Sequence, residues 1–218
     1  MSVRLAVFDC DGTLSDGQAG VVNAMNAAFA EVGAPAPHHS QVRRIVGLSL
    51  PQAIRRLSPD LSDDQHYAIV QAYKTAFRSA RENGTLREPL FEGMADMLQR
   101  LHGRGWTLGV ATGKSDRGLA STLAVHGLTQ FFATTHTADR HPSKPHPAML
   151  HAAMEDAMAE PDATCMIGDT VFDIEMAVAA NVRPIGVSWG YHEPDELLAA
   201  GAVAVADTMA ELEKLIDG

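Results

Sequence analysis

The chain has 218 residues, an apolar fraction of 46% and a formal net charge of −10. This length suits one sizeable domain or a core domain with a smaller insertion, and the apolar fraction is ordinary for a globular protein with a buried core. The negative charge argues against nucleic acid or an anionic membrane as the main partner, because both require a basic surface. A local basic pocket for a small anion is still compatible with it.

Cys10 and Cys165 are the only cysteines in the sequence. Two cysteines exclude a disulfide framework and a zinc site made of four thiolates. The apolar run at the amino terminus is short and ends at Asp9, which does not resemble a secretion signal, and no apolar stretch is long enough to span a bilayer. We therefore expect a cytoplasmic protein with no membrane partner and no nucleic-acid partner.

The first predicted element is a strand from Val3 to Phe8, which leads directly into Asp9-Cys10-Asp11-Gly12-Thr13. Side chains alternate between the faces of a strand, so Asp9 and Asp11 are expected on one side and Cys10 in the core. Two adjacent carboxylates repel each other unless a cation or a shared proton offsets their charge. The pattern predicts a metal-assisted site with one carboxylate as nucleophile and the other as proton carrier. The alternative is a simple turn at Asp11-Gly12.

Residues 16–87 have the pattern of an all-helical insertion with its own small core. Apolar residues recur there at helical spacing, and nothing alternates as in a strand. Ser40 and Ser62 are placed to cap two of the helices. The predicted helices cover residues 21–32, 40–46, 50–57 and a longer segment from 63 past 77.

From residue 88 onward, apolar strands alternate with helices. The predicted strands cover residues 106–111, 131–135, 164–167, 184–187 and 202–205. Such alternation predicts a parallel sheet covered by helices on both faces. The predicted fold is therefore α/β, with a Rossmann-like parallel sheet core formed by residues 1–15 and 88–218. Residues 16–87 are expected to form a second, helical domain inserted after the first strand.

Polar side chains follow three of the predicted strands. Asp9 and Asp11 follow the first strand, Thr112 the next and Asp169 the strand at 164–167. In open parallel sheets, ligands bind beyond the carboxyl ends of the strands. We therefore expect these four side chains to meet at one rim.

Four short motifs in this order resemble those of the haloacid dehalogenase superfamily. They are Asp-x-Asp-Gly-Thr at 9–13, Thr-Gly-Lys at 112–114, Lys144-Pro145 and Gly-Asp-x-x-x-Asp at 168–173. The helical insertion resembles the family's helical cap. With Ser143-Lys144-Pro145-His146-Pro147, the chain is most similar to the phosphoglycolate phosphatase-like branch.

The resemblance implies a role for each catalytic candidate. Asp9 would attack phosphorus and form an aspartyl-phosphate. Asp11 would protonate the leaving oxygen and later take a proton from the attacking water. Lys144 would offset negative charge on the nucleophile and on the transferring phosphoryl group. Asp11 also favours phosphoryl transfer over dehalogenation, since the family's dehalogenases lack a second aspartate at this position.

The resemblance also implies a phosphate site and a metal site. Thr112, Gly113 and Lys114 are expected to bind phosphate oxygens at a strand end that opens onto a helix. Mg²⁺, the implied cofactor, prefers oxygen ligands. Its expected ligands are the aspartates at four positions: Asp9, Asp11 through its carbonyl, Asp169, and Asp173 in a direct or supporting position.

Arg43 and Arg44 lie where caps of this family often reach over the substrate. An arginine there is able to pair with a substrate anion such as a carboxylate. The alternative is an exposed pair of helical arginines, and the sequence leaves both interpretations open.

Together these observations predict a magnesium-dependent phosphatase that acts on a small phosphorylated metabolite, with phosphoglycolate as the leading substrate. The protein is expected to be a monomer or a homodimer. A sugar phosphomutase and a pyrophosphatase are alternatives within the superfamily. A non-enzymatic phospho-receiver or interaction module is the alternative from another class, since receivers also gather carboxylates, a hydroxyl group and a lysine around one aspartate.

Overall fold

A computed structural model of the chain describes residues 3–218. Its centre is a sheet of six parallel strands in the order β3-β2-β1-β4-β5-β6. The strands are β1 (Leu5–Phe8), β2 (Thr107–Thr112), β3 (Phe132–Thr137), β4 (Thr164–Gly168), β5 (Arg183–Val187) and β6 (Ala204–Ala206). The predicted α/β fold with a parallel sheet is confirmed.

Strand β1 is central, and its alternating side chains enter two different cores. Leu5 and Val7 pack on one face of the sheet, whereas Ala6, Phe8 and Cys10 pack on the other. All five side chains are fully buried. A strand that is apolar on both faces needs such cover, because neither face is left to solvent. Cys10 therefore turns away from its two aspartate neighbours, as the alternation predicts.

Ten α-helices complete the described part of the chain, residues 3–218. They are α1 (Gln18–Glu31), α2 (His39–Arg43), α3 (Leu50–Leu57), α4 (Asp63–Glu82), α5 (Met94–Gly103), α6 (Asp116–Val125), α7 (Ala148–Ala157), α8 (Val171–Ala179), α9 (Pro194–Ala200) and α10 (Met209–Asp217). Helices α1–α4, hereafter the four-helix unit (residues 18–82), are consecutive and share an apolar cluster separate from the two sheet cores.

Two helices of the four-helix unit, α1 and α2, begin earlier than the sequence predicts. Helix α2 starts at His39, and His38 rather than Ser40 is its capping residue, because the His38 side chain accepts a hydrogen bond from the Ser40 backbone. Asn, Asp, Ser and Thr are the usual caps, so the histidine gave no signal. Ser62 does cap α4, accepting from the Gln65 backbone as predicted.

The strand order places the site. Strands β2, β1 and β4 are neighbours, so their carboxyl ends meet at one edge, where Asp9, Thr112 and Asp169 follow or end them. Within residues 3–218, no helix combines the length and the apolar character that crossing a membrane requires.

Candidate active site

Asp9 lies directly beyond β1 and is 1% exposed. Its backbone N–H donates to the carbonyl of Ile167, which continues the pairing of β1 with β4 and fixes the residue at the sheet rim. Burial raises the pKa of the Asp9 carboxyl to about 7, although nearby Lys144 opposes the shift. A buried carboxylate of this kind requires neighbouring positive charge.

Two further aspartates lie beside it, and both are fully buried. Atoms of Asp9, Asp169 and Asp173 lie within 4.8 Å of one another. The Asp169 carboxylate accepts hydrogen bonds from the Thr13 hydroxyl at 2.7 Å and the Tyr191 backbone N–H at 2.9 Å. Burial, followed by the charges of Asp173 and Asp9, raises the pKa of Asp169 well above its usual range.

Lys144 is the cation within this group. Its Nζ lies 2.8 Å from Asp9 Oδ1 and donates to Asp173 Oδ1 at 2.6 Å, and its side chain is 0% exposed. Burial lowers the pKa of Lys144, but attraction to Asp173 and Asp9 outweighs that effect and raises the pKa overall. We call the contact Asp9–Lys144–Asp173 the inner bridge. One ammonium faces three carboxylates, so the group still lacks positive charge.

Mg²⁺ fits the residues at this place. Asp9 Oδ2 is buried and has no hydrogen-bond partner among residues 3–218, so it is free to bind a cation. Hard divalent cations prefer carboxylate oxygens such as those of Asp9 and Asp169. Asp173 is committed elsewhere, because one of its oxygens accepts from Lys144 and the other from the Thr170 backbone and hydroxyl. It therefore suits a supporting position.

Gly12 allows the chain to turn away from Asp11 above these carboxylates. Its φ is +86°, a value that residues with a Cβ rarely adopt. A Cβ at this position would also collide with the Asp169 carboxylate and the Tyr191 ring. The turn at Gly12 thus coexists with the acidic site and does not replace it.

Asp11 belongs to a second chain of charges. Lys114 Nζ lies 2.8 Å from Asp11 Oδ1 and 2.7 Å from Glu88 Oε1, and Arg81 donates to Glu88 at 3.1 Å. Burial lowers the pKa of Lys114, but the negative charges around it outweigh burial and raise its pKa overall. We call the contact Asp11–Lys114–Glu88–Arg81 the outer bridge. It connects the sheet rim to Arg81 on α4, whereas the inner bridge contains no residue of the four-helix unit.

Thr112 and Gly113 lie at the end of β2 and line the same cavity as Asp9 and Asp11. Thr112 is 1% exposed, and its hydroxyl accepts a hydrogen bond from the Lys114 backbone. Gly113 lies against the four-helix unit: a Cβ there would be 2.6 Å from the Leu48 carbonyl oxygen and 2.7 Å from that of Gly47. Glycine at this position permits a close backbone approach between the two parts of the molecule.

Arg43 and Arg44 lie outside the cavity that contains Asp9. Arg43 donates to Gln18 and to the carbonyls of Gly190 and Tyr191, and its guanidinium lies 5.5 Å from the Tyr191 ring centroid. Arg44 pairs with Glu196 on α9 at 2.5 Å. Both arginines therefore contact the loop and helix that follow β5; Arg44 is exposed and Arg43 is partly buried.

The cavity above Asp9 and Asp11 has a volume of about 440 Å³. The sheet rim forms its floor and the four-helix unit forms its wall. Apolar side chains of that wall are Val21, Met25, Ile45, Val46, Leu48, Leu50, Ala53, Tyr73 and Phe77. Lys74, Arg78 and Arg117 also line it, and none of these three forms an ion pair with a carboxylate of residues 3–218.

Sequence reasoning did not find three residues that hold the site together. Glu88 binds Lys114 through a single side chain, and no motif or periodicity marks this contact. Thr13 is part of the first motif, but the motif alone does not indicate that its hydroxyl donates to Asp169. Tyr191 follows β5 and packs into the apolar cluster of the four-helix unit. Its position after a strand in Trp189-Gly190-Tyr191 was a usable signal, since that is where ligand sites form in parallel sheets.

Known proteins similar to this chain include several named phosphatases. The probable phosphatase IndB of Dickeya dadantii is 36% identical over 95% of this chain and 91% of its own length. The tyrosine-protein kinase PtkA of Mycobacterium tuberculosis is 30% identical over 99% of this chain and 73% of its own length. A phosphoglycolate phosphatase of Vibrio vulnificus is 28% identical over 96% of this chain and 94% of its own length.

The fold and the family are also shared with known proteins. The crystal structure of a predicted phosphatase from Clostridium acetobutylicum has a TM-score of 0.88 and 24% identity, covering 99% of each chain. The family model of the haloacid dehalogenase-like hydrolases matches residues 6–187. The resemblance drawn from the four motifs, and the prediction of an enzyme, are thereby confirmed: this chain belongs to the haloacid dehalogenase-like hydrolase family.

Proposed function

We propose that the chain is a magnesium-dependent phosphatase that hydrolyses a small phosphomonoester through an aspartyl-phosphate on Asp9. The observation that carries this proposal is the buried Asp9 carboxylate, whose Oδ1 lies 2.8 Å from Lys144 Nζ and whose Oδ2 has no hydrogen-bond partner among residues 3–218. One of its oxygens can attack phosphorus while the other binds the cation. The named phosphatases among the relatives support phosphomonoesters as the substrate class.

In the first step, an Asp9 oxygen forms a bond to phosphorus as the bond from phosphorus to the alcohol oxygen breaks. Asp11 gives its proton to that leaving oxygen, and the alcohol is released. In the second step, water attacks phosphorus, Asp11 takes the proton of the water, and phosphate leaves as the Asp9 carboxylate re-forms. In total, one phosphomonoester and one water are consumed, and one alcohol and one phosphate are released.

The other side chains orient the substrate and offset its charge. In this proposal, the Thr112 hydroxyl and the Gly113 N–H donate to phosphate oxygens, and Lys144 stabilises negative charge beside the nucleophile. Asp9, the Asp11 carbonyl and Asp169 would hold Mg²⁺, with Asp173 in support. When bound, the cation supplies charge neutralisation for the phosphoryl oxygens and the surrounding carboxylates.

Lys74, Arg78 and Arg117 explain how an anionic substrate reaches a protein with a net charge of −10. All three are exposed, line the cavity and lack carboxylate partners in the described chain. Local positive charge at a cleft raises the encounter rate of an anion. We also propose that the four-helix unit acts as a cap domain over the rim and excludes bulk water during reaction.

The test combines phosphate release with trapping of the intermediate. Phosphate release from small phosphomonoesters is expected with Mg²⁺ and not with chelator. Acid quenching followed by mass spectrometry of peptides should locate a phosphate on Asp9. In Asp9→Asn, phosphate release should fall by roughly a thousandfold or more with the fold intact, since the nucleophile is lost.

The matched control is Asp60→Asn, which makes the same chemical change at an exposed loop position. It should retain full activity. An Asp9→Asn protein that keeps most of its activity would overturn the proposed mechanism. Conversion of a sugar monophosphate into an isomer, without release of phosphate, would instead identify a phosphomutase.

A further inference from the structure

The wall of the cavity differs in chemistry from its floor. The floor carries Asp9, Asp11, Thr112 and the Gly113 backbone, all polar groups suited to a phosphoryl group. The wall is made by side chains from every part of the four-helix unit, and most of them are hydrocarbon or aromatic. A phosphate bound at the floor would therefore direct its organic group toward an apolar surface.

Six of the wall side chains are themselves buried by the fold. They are between 1% and 8% exposed: Val21, Met25, Ile45, Val46, Leu48 and Ala53. Tyr73 and Phe77 lie one helical turn apart on α4 and stack on each other, with ring centroids 5.7 Å apart. The wall residues that are only partly buried, Leu50, Tyr73 and Phe77, keep accessible apolar surface, and covering that surface with an apolar group is favourable.

The cavity is also large for a two-carbon acid. Its volume of about 440 Å³ falls among pockets of roughly 300–1,000 Å³, which hold organic molecules of substantial size. Glycolate esterified to phosphate would leave most of the apolar wall without contact.

Within residues 3–218, the cations next to Asp9 and Asp11 are already paired with carboxylates. Lys114 is between Asp11 and Glu88, and Arg43 and Arg44 contact the loop and helix after β5. The cations without carboxylate partners are at exposed positions. A carboxylate next to the phosphate would thus lose its hydration without gaining a charged partner.

We infer that the substrate is the phosphomonoester of an alcohol with an apolar body, of at least the size of a phenylethyl group, that packs against the wall of the four-helix unit. This inference rests on the proposed phosphatase function and narrows its substrate. The contrast between polar floor and apolar wall is what selects the class: the phosphate is held at the rim, and the hydrocarbon is bound above it.

A pair of esters with matched leaving groups tests the inference. The alcohols of 2-phenylethyl phosphate and ethyl phosphate differ in the phenyl group and little in acidity, so chemistry favours neither. With Mg²⁺ present, kcat/KM for the phenylethyl ester should exceed that for the ethyl ester by at least about tenfold, because burial of the ring is favourable. Phosphoglycolate in the same assay should be hydrolysed less efficiently than the phenylethyl ester.

A double substitution in the wall should reduce this preference. Val21→Thr with Val46→Thr preserves shape but puts two hydroxyls against the apolar body, and the preference ratio should fall by about tenfold. The matched control is Val178→Thr with Val203→Thr, at positions 50% and 60% exposed and outside the cavity. The control should keep the ratio of the unmodified protein.

A measurement on the unmodified protein covers the case in which the wall variant does not fold. As competitive inhibitors, 2-phenylethylphosphonate and ethylphosphonate should differ by at least about tenfold in inhibition constant, in favour of the phenyl compound. Equal kcat/KM for the two esters, or equal inhibition, would overturn the inference and leave the phosphatase proposal standing. Absence of phosphate release from every ester would overturn the proposed function itself.

Discussion

The two lysines of the site make similar contacts in different surroundings. Lys144, in the inner bridge, joins carboxylates that all belong to the rim of the sheet. Lys114, in the outer bridge, joins Asp11 to Glu88, which in turn holds Arg81 at the end of α4. The inner bridge is therefore independent of where the four-helix unit lies. The outer bridge depends on it, so the proton carrier and the nucleophile have different structural supports.

The largest expected effect comes from breaking the inner bridge. Lys144→Met keeps much of the side-chain length but leaves three buried carboxylates without an ammonium, and removing one partner of a buried pair costs about 3–5 kcal/mol. Activity should fall by roughly a thousandfold. Thermal unfolding without metal should occur at lower temperature, and Mg²⁺ should restore part of the loss.

The control for this variant is Lys214→Met, at an exposed position without an ion pair among residues 3–218. Its activity and unfolding temperature should match those of the unmodified protein. A Lys144→Met protein with more than a tenth of normal activity would contradict the role of the inner bridge.

The next largest effect should come from Gly113→Ala, which separates the two bridges. The added Cβ would collide with the carbonyls of Gly47 and Leu48 and push the four-helix unit away from the rim. That displacement stretches the outer bridge and leaves the inner bridge intact. Since small misplacements of reacting groups are costly, kcat/KM should fall by about a hundredfold.

Stabilisation by Mg²⁺, measured as a shift in unfolding temperature, should be unchanged in Gly113→Ala. Gly103→Ala is the control, because no atom lies within 4 Å of its added Cβ. If Gly113→Ala lost the Mg²⁺-induced shift in unfolding temperature together with its activity, the two bridges would not be separable.

A smaller effect is expected from weakening the outer bridge alone. Glu88→Gln removes the charge between Lys114 and Arg81 but keeps the shape of the side chain. Asp11 should then be held less well, and kcat should fall by about tenfold, a part of what acid–base catalysis contributes. Steady-state kinetics at saturating Mg²⁺ measure this, with Glu175→Gln on the exposed face of α8 as control. An unchanged kcat would remove the outer bridge from the mechanism.

The smallest effect belongs to the pair Arg44–Glu196, which lies outside both bridges. The hydrogen bond from Arg44 lowers the pKa of Glu196 to about 2. A lowered pKa means that the stabilisation is complete above the ordinary pKa of Glu and is lost as the pH falls toward 2. The side chains are 53% and 33% exposed, so the stabilisation is at most about 1 kcal/mol.

Urea unfolding of Arg44→Met should therefore show a small loss of stability at pH 7 that shrinks between pH 4.5 and pH 3. Arg87→Met, without an ion pair among residues 3–218, should show no such dependence. A loss in Arg44→Met that grows as the pH falls would contradict the assignment.

Much of the fold was predictable because the sequence repeats one physical pattern. Continuous apolar strands such as Thr164–Gly168 need cover on both faces, and the alternating helices supply it. In such a sheet the carboxyl ends of the strands lie at one edge, so Asp9, Thr112 and Asp169 are brought to the same rim. The strand ends and the motifs together are sufficient to locate the rim.

The contacts between the four-helix unit and the rim were not predictable in the same way. Arg43 and Glu88 have ordinary local sequence contexts, and Lys114 lies in a motif that does not identify its partners, so each has more than one possible partner. Which partner is chosen depends on the packing of elements far apart in the chain: Arg43 meets Tyr191 and Lys114 meets Glu88 only in the folded molecule. The local sequence around a long side chain at such a contact says little about which residue the side chain will meet in the folded protein.

The burial of the Tyr191 side chain has a consequence for the rate of turnover. Its ring is 5% exposed within the apolar cluster of the four-helix unit, and its backbone donates to Asp169 and accepts from Arg43. Lifting the four-helix unit from the rim must withdraw this ring, at a cost of roughly 1.5–3 kcal/mol. The open population is then roughly 1–8%. We expect product exit to limit turnover, so that the first product appears as a burst ahead of the steady state.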